Sequence, residues 1–210
     1  ACVRSAAWMA CSWISSTGPY VRKNPTWVTS SLPVALAGRH RNAVFVETGT
    51  LVGAGIVTAL RAGFPRIVSI ELHRPYYEVQ RRRFAGYPGV TCLLGDSVEV
   101  LPGVLDQLSE PATFWLDAHA HDMHGGGRGP KSSPILDELA LISHPAKTHT
   151  ILIDDRRVMG AAFIADSGDL WGGVRECDVL SALHNINPAY VISYEDSTYV
   201  LQDIIVAAPP

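Results

Sequence analysis

Apolar residues in this chain gather in short runs that stop at an acid, and the unit of run plus acid recurs five times. Val44, Phe45 and Val46 lead to Glu47; Arg66 to Leu72 (RIVSIEL) contains Glu71; Val90 to Leu94 leads to Gly95-Asp96; Thr113 to Leu116 leads to Asp117; Thr150 to Ile153 leads to Asp154-Asp155. The runs are rich in β-branched and aromatic residues and lack polar alternation, as expected of parallel strands buried on both faces. Between them lie segments of helical character: Ala54 to Ala62, Pro75 to Ala85, from Asp96-Ser97 to about Leu108, and Pro134 to Ile142. Asp96 and Ser97 are suited to cap the third of these. Strands alternating with helices at this spacing predict an α/β fold, a Rossmann-like doubly wound, mostly parallel sheet. The tail predicts a helix within Leu170 to Asn185, then strands at Tyr190 to Tyr194 and Tyr199 to Val206 joined through Glu195-Asp196-Ser197. The sheet is thus expected to finish in an antiparallel hairpin.

In such sheets ligands bind beyond the carboxyl ends of the strands. Glu47, Glu71, Asp96, Asp117, Asp154 and Asp155 should therefore converge on one rim, which calls for a cationic or hydroxyl-rich partner. The 210 residues, 47% hydrophobic and 18% charged, suit one well-cored domain. A formal charge of −3 gives no basic face for nucleic acid, so none is expected as a partner. Residues 1–46 nevertheless hold five of the 17 basic residues and none of the 20 acidic ones. This basic, Trp-rich stretch (Trp8, Trp13, Trp27) is read as a lid or docking segment over residues 1–42, with the domain at 43–210. It could serve a homo-oligomer or a docking partner; organelle targeting segments share its Ser- and Arg-rich, acid-poor composition. Cys2, Cys11, Cys92 and Cys177 form no C-x-x-C pair, which fits a reducing compartment, cytoplasmic or the interior of an organelle. No apolar run reaches the roughly 18 residues of a membrane span, so a soluble protein is expected.

The turn after the first strand, E-T-G-T-x-x-G-x-G from Glu47 to Gly55, departs from the G-x-G-x-x-G of dinucleotide binders. An acid ahead of the glycines disfavours a phosphate and favours a cationic or amine-bearing ligand. With this turn, S-I-E-L, G-D-S, W-L-D-A-H and L-I-D-D in that order, the stretch Ala43 to Asp155 resembles the class I S-adenosylmethionine-dependent methyltransferases. The resemblance implies that Glu47 and Gly49 line the methionine part, with Gly53 in the same cofactor-binding turn. It implies further that Glu71 accepts hydrogen bonds from the ribose hydroxyls, Leu72 packs on the adenine, and Asp96 and Ser97 contact its edge. Helix capping is the alternative use of Asp96 and Ser97.

Asp117 followed by Asp154-Asp155 looks like the magnesium site of the catechol and macrocin-type O-methyltransferases. A hard divalent cation takes oxygen ligands and eases deprotonation of a substrate hydroxyl. The acceptor implied is a small hydroxylated molecule. This chain has Asp-Ala-His where relatives carry Asp-Ala-Asp, so His119 is read as an extra ligand or as the general base, beside Asp117. His121, Asp122 and His124 form a cluster with zinc-ligand chemistry in a glycine-rich loop, Ala118 to Ser133. His144 and His149 read as surface groups, Arg81-Arg82-Arg83 as a solvated helix face, and Glu195 as a residue reaching the site mouth. Two other readings stay open from the sequence: a non-catalytic subunit built on the methyltransferase fold, and a metal-dependent hydrolase using Asp117, His119, His121 and Asp154.

Overall fold

The computed structural model describes residues 30–119, 129–143, 148–160 and 173–210. The expectations for Trp8, Trp13, Trp27, His121, Asp122, His124 and His144 lie outside these residues. In chain order the elements are α1 (Val34–Arg39), β1 (Val44–Thr48), α2 (Ala54–Arg61), β2 (Arg66–Glu71), α3 (Arg74–Arg83), β3 (Val90–Leu94), α4 (Ser97–Asp106), β4 (Ala112–Leu116), α5 (Ile135–Ile142), β5 (Thr150–Ile153), α6 (Glu176–Ile186), β6 (Val191–Glu195) and β7 (Ile204–Ala208), with a 3₁₀ turn at Arg156–Val158. All five predicted parallel-type runs form strands.

The seven strands make one sheet in the order β3-β2-β1-β4-β5-β7-β6. β1 pairs in parallel with β2 and β4, β5 pairs with β7 in antiparallel fashion, and β7 with β6 likewise. Every residue of β1 is buried, and the period of two along a strand divides its side chains between two cores. Val44 and Val46 join Phe114, Ile151 and Ile153 beneath Leu101 of α4, Leu139 and Ile142 of α5, and Val179 and Leu183 of α6. Phe45 joins Ile67, Trp115 and Leu152 on the other face, beneath Leu36 and Ala37 of α1 and Ile56 and Val57 of α2. The chain crosses from the β3 edge back to β4 at the other side of β1, and this reversal opens a crevice beyond the strand ends.

Several elements differ from the sequence expectation. α1 has too few residues to show a periodic pattern, yet Leu32, Leu36 and Ala37 are buried with the second core. From Ser30 onward the leader therefore packs into the domain. The tail hairpin has a longer connection than a three-residue turn. Ser197 Oγ accepts hydrogen bonds from the backbone N–H groups of Tyr199 and Val200, and Asp196 Oδ1 from that of Gln202. These side-chain bonds hold the chain in turns until Asp203, so β7 begins at Ile204. His149 is buried, its Nδ1 accepting from the Ala112 N–H at 3.0 Å. Arg83 is likewise tied down, donating to the Val52 carbonyl at 2.7 Å, while Arg81 and Arg82 are exposed beside Glu78. Glu195 pairs with Arg39 at 2.7 Å and does not line the cavity described below.

Candidate functional site

The first turn is built around a buried acid. Glu47, 1% exposed, ends β1 beneath the start of α2, and a Cβ on Gly55 would lie 1.7 Å from its Oε1. Ser69 of β2 donates to Glu47 Oε2 at 2.5 Å and is itself 2.5 Å from Thr50 Oγ1. Burial pushes the Glu47 carboxyl up to about 8, against the pull of the Ser69 hydrogen bond. Glu47 thus braces the turn from behind and does not face the cavity; Gly53, at φ +76, stands against Gln80 and Phe84.

A cavity of about 420 Å³ opens at the carboxyl ends of β1 to β4. Of the residues marked in the sequence, Gly49, Glu71, Leu72, Asp96, Ser97, Asp117 and His119 line it. Gly49 brings the backbone close: its φ is +86, and a Cβ there would sit 2.5 Å from the Asp117 carbonyl oxygen. Glu71 stands at the wall with both oxygens already oriented, Oε2 accepting from the Leu51 N–H and Oε1 from the His73 N–H, each at 2.7 Å. Each carboxylate oxygen has a second lone pair, so this locked group can still accept from a vicinal diol. Burial raises its pKa and the backbone bonds lower it. Asp96 caps α4 by accepting from the Val98 N–H at 2.9 Å while lining the cavity. Capping leaves Oδ2 available, so the two roles foreseen for it are compatible. Behind Ser97, Glu138 of α5 is buried, and burial pushes its carboxyl up to about 7.

At the far side of the cavity lies the acidic group. Asp117 Oδ1 is 3.5 Å from His119 Nδ1, and Asp155 Oδ2 is 3.2 Å from His119 Nε2. One ligand atom from each of Asp117, His119 and Asp155 can be chosen so that all lie within 4.8 Å of one another. Burial, then Asp154 and Asp155, drive the Asp117 carboxyl well above the carboxylate range. Asp154 points elsewhere: it is 3% exposed, its Oδ2 accepts from Ser31, and burial pushes it up to about 7. The structure thus gathers Asp117 and Asp155 with His119, and sets Asp154 with Asp155 and Asp203 in an adjoining group.

Asp203, Arg157 and Ser31 were not visible in the sequence as site residues. Only Asp203 carried a signal. It precedes β7, and because β7 runs antiparallel, an acid at its amino end reaches the rim where the parallel strands finish.

No family model and no curated protein sequence matches the chain. Solved structures do. An O-methyltransferase from Bacillus cereus, solved with S-adenosylhomocysteine, superposes with a TM-score of 0.54 at 15% identity over 91% of this chain and 84% of that one. The O-methyltransferase TomG from Streptomyces achromogenes, involved in tomaymycin synthesis and solved with S-adenosylmethionine, gives 0.51 at 18% identity over 84% and 77%. A Podospora anserina methyltransferase bound to S-adenosylhomocysteine gives 0.54 at 14% over 84% and 76%. With its β3-β2-β1-β4-β5-β7-β6 sheet, the chain has the Rossmann-like fold of these methyltransferase structures.

Proposed function

We propose that the chain is an S-adenosylmethionine-dependent methyltransferase that methylates oxygen on a small hydroxylated acceptor with the help of a divalent cation. The observation that carries this reading is the course of the cavity, from the backbone-locked carboxyl of Glu71 to the group Asp117, His119 and Asp155. Solved structures of this fold hold S-adenosylmethionine or its product, in the Streptomyces and Bacillus proteins respectively.

The cofactor supplies an electrophilic methyl group on a sulfonium. Glu71 is placed to receive the ribose diol, Leu72 and Tyr76 to flank the adenine, and Asp96 and Ser97 to meet its edge. Gly49, whose lack of a Cβ lets the Asp117 backbone come close, borders the methionine part. The transfer itself needs alignment more than chemical assistance from the protein.

The donor set fits a divalent cation: two carboxylates and an imidazole converge, and burial, then the neighbouring Asp154 and Asp155, raise the Asp117 carboxyl. Asp117, His119 and Asp155 would hold the ion, with Asp154 behind them. The oxygens suit magnesium and the imidazole extends the range toward manganese. The ion would supply Lewis acidity toward the acceptor hydroxyl. His119 stands between two carboxylates and serves either as a ligand, its second ring nitrogen then carrying the proton, or, with the ion held by the carboxylates alone, as the group that takes the acceptor proton.

Thermal unfolding with S-adenosylhomocysteine, with and without magnesium, tests the reading. At a hundredfold excess over Kd, binding adds about 2.7 kcal/mol, or roughly 5 to 10 °C for a chain of this size. Absence of any shift with the cofactor product would overturn the methyltransferase assignment. A cofactor shift with no response to magnesium or manganese would remove the metal alone.

A further inference from the structure

Two acidic groups meet at Asp155. The inner one is Asp117, His119 and Asp155; the outer one is Asp154, Asp155 and Asp203, whose ligand atoms also lie within 4.8 Å of one another. Asp203 is 1% exposed and Asp154 3% exposed, and the Oδ1 of Asp154 is buried with no hydrogen-bond partner. Carboxylates so buried need positive charge nearby. Arg157, from the 3₁₀ turn after β5, brings it. Its Nη1 lies 2.6 Å from Asp155 Oδ1 and donates to Asp203 Oδ2, while its backbone N–H donates to Asp203 Oδ1 at 3.0 Å. The neighbouring Arg156 is directed elsewhere, to Glu176, Tyr194 and the Gln202 carbonyl.

We propose that Arg157 is a built-in cation that closes the outer group and holds the rim to a single exchangeable metal ion. The inference rests on the metal-assisted reading above and adds a specificity to it. The positive charge of the guanidinium at Oδ1 repels a second cation from that oxygen, so Asp155 gives the inner group Oδ2, the oxygen facing His119. Single-oxygen ligation suits small octahedral ions such as magnesium and manganese. Calcium takes six to eight oxygens and is served by carboxylates that can bind through both. Arg157 thereby sets both how many ions bind and which.

The test is direct metal binding to the full chain, by calorimetry with manganese and separately with calcium, for the wild type, Arg157→Gln and Arg157→Lys. The amide in Arg157→Gln can still hydrogen-bond Asp203 but carries no charge, whereas Arg157→Lys keeps the charge. The wild type and Arg157→Lys should take one manganese per chain and little calcium. Arg157→Gln should take two manganese and bind calcium at least tenfold more tightly. One manganese in Arg157→Gln, at unchanged affinity for both ions, would overturn the inference and leave the metal reading standing. No ion in the wild type but one in Arg157→Gln would uphold Arg157 as the closing cation and overturn the inner metal site. If Arg157→Gln does not fold, Arg157→Gln with Asp203→Asn removes charge and partner together. It should keep one manganese and gain calcium affinity through the freed Asp155, and unchanged calcium affinity would overturn the inference.

Discussion

Gly49 shows how one residue fixes the distance between the Glu71 end and the acidic end of the cavity. Its φ of +86 is unfavourable for a residue with a Cβ, and that Cβ would stand 2.5 Å from the backbone oxygen of Asp117, which cannot swing aside as a side chain could. Its own N–H is committed to the Ile70 carbonyl at 3.0 Å. Gly49→Ala should therefore cost about 2 to 4 kcal/mol, combining left-handed strain with overpacking, and should loosen S-adenosylhomocysteine binding because Asp117 must shift. Urea unfolding and a binding titration check both; a stability within error of the wild type would show that the β1 and β4 ends are not held as tightly as described. The glycine was legible in the sequence from its place between an acid and a helix. What Glu47 does was not. Its identity suggested a ligand contact, but its direction depends on Gly55 leaving a slot under α2 and on Ser69 standing opposite on β2, and both are facts of packing.

The same division holds for whole elements. The five parallel strands were readable because each is buried on both faces and so carries an unbroken apolar run. α1 was not, since its six residues offer only Leu36 and Ala37 to the core. The tail hairpin was readable in kind but not in length, because the Ser197 and Asp196 side chains hold turns that no apolar pattern records. Arg156 locks this region to the rim: its Nε donates to Glu176 Oε2 at 3.0 Å, its guanidinium lies 4.2 Å from the centre of the Tyr194 ring, and Tyr194 in turn donates to Glu176 Oε1 at 2.8 Å. One side chain thus joins the turn after β5 to α6 and β6. Arg156→Ala should cost about 1 to 2 kcal/mol, the worth of a partly exposed charged hydrogen bond and a cation–π contact together. Unfolding by guanidinium that leaves the midpoint unmoved would show that the three elements are held by their apolar cores alone.

At the scale of the molecule, the rim concentrates carboxyls whose folded and unfolded pKa values differ, and this dictates the pH dependence of stability. Burial raises Glu47 to about 8 and Glu138 and Asp154 to about 7, from ordinary values near 4. A raised carboxyl binds its proton more tightly in the folded chain. Its contribution is fully present below the unfolded value and is lost as pH rises through the folded one, at about 1.4 kcal/mol for each unit between the two. The metal-free protein should therefore lose stability steadily from pH 5 to pH 8. A divalent ion acts in the opposite sense, since it binds charged carboxylates and so stabilises more as pH rises. Melting in the presence of a chelator should show the fall, and magnesium or manganese should raise the melting temperature more at pH 8 than at pH 6. Glu47→Gln with Glu138→Gln, two residues outside the proposed ligand set, should flatten the chelated curve while leaving the metal-dependent rise in place. A chelated protein whose stability is level or climbs from pH 5 to 8 would mean that these carboxyls are charged in the folded chain, with water or a cation reaching each of them. In that case the rim would be an open, solvated edge and not the buried acidic group that the proposed metal reading requires.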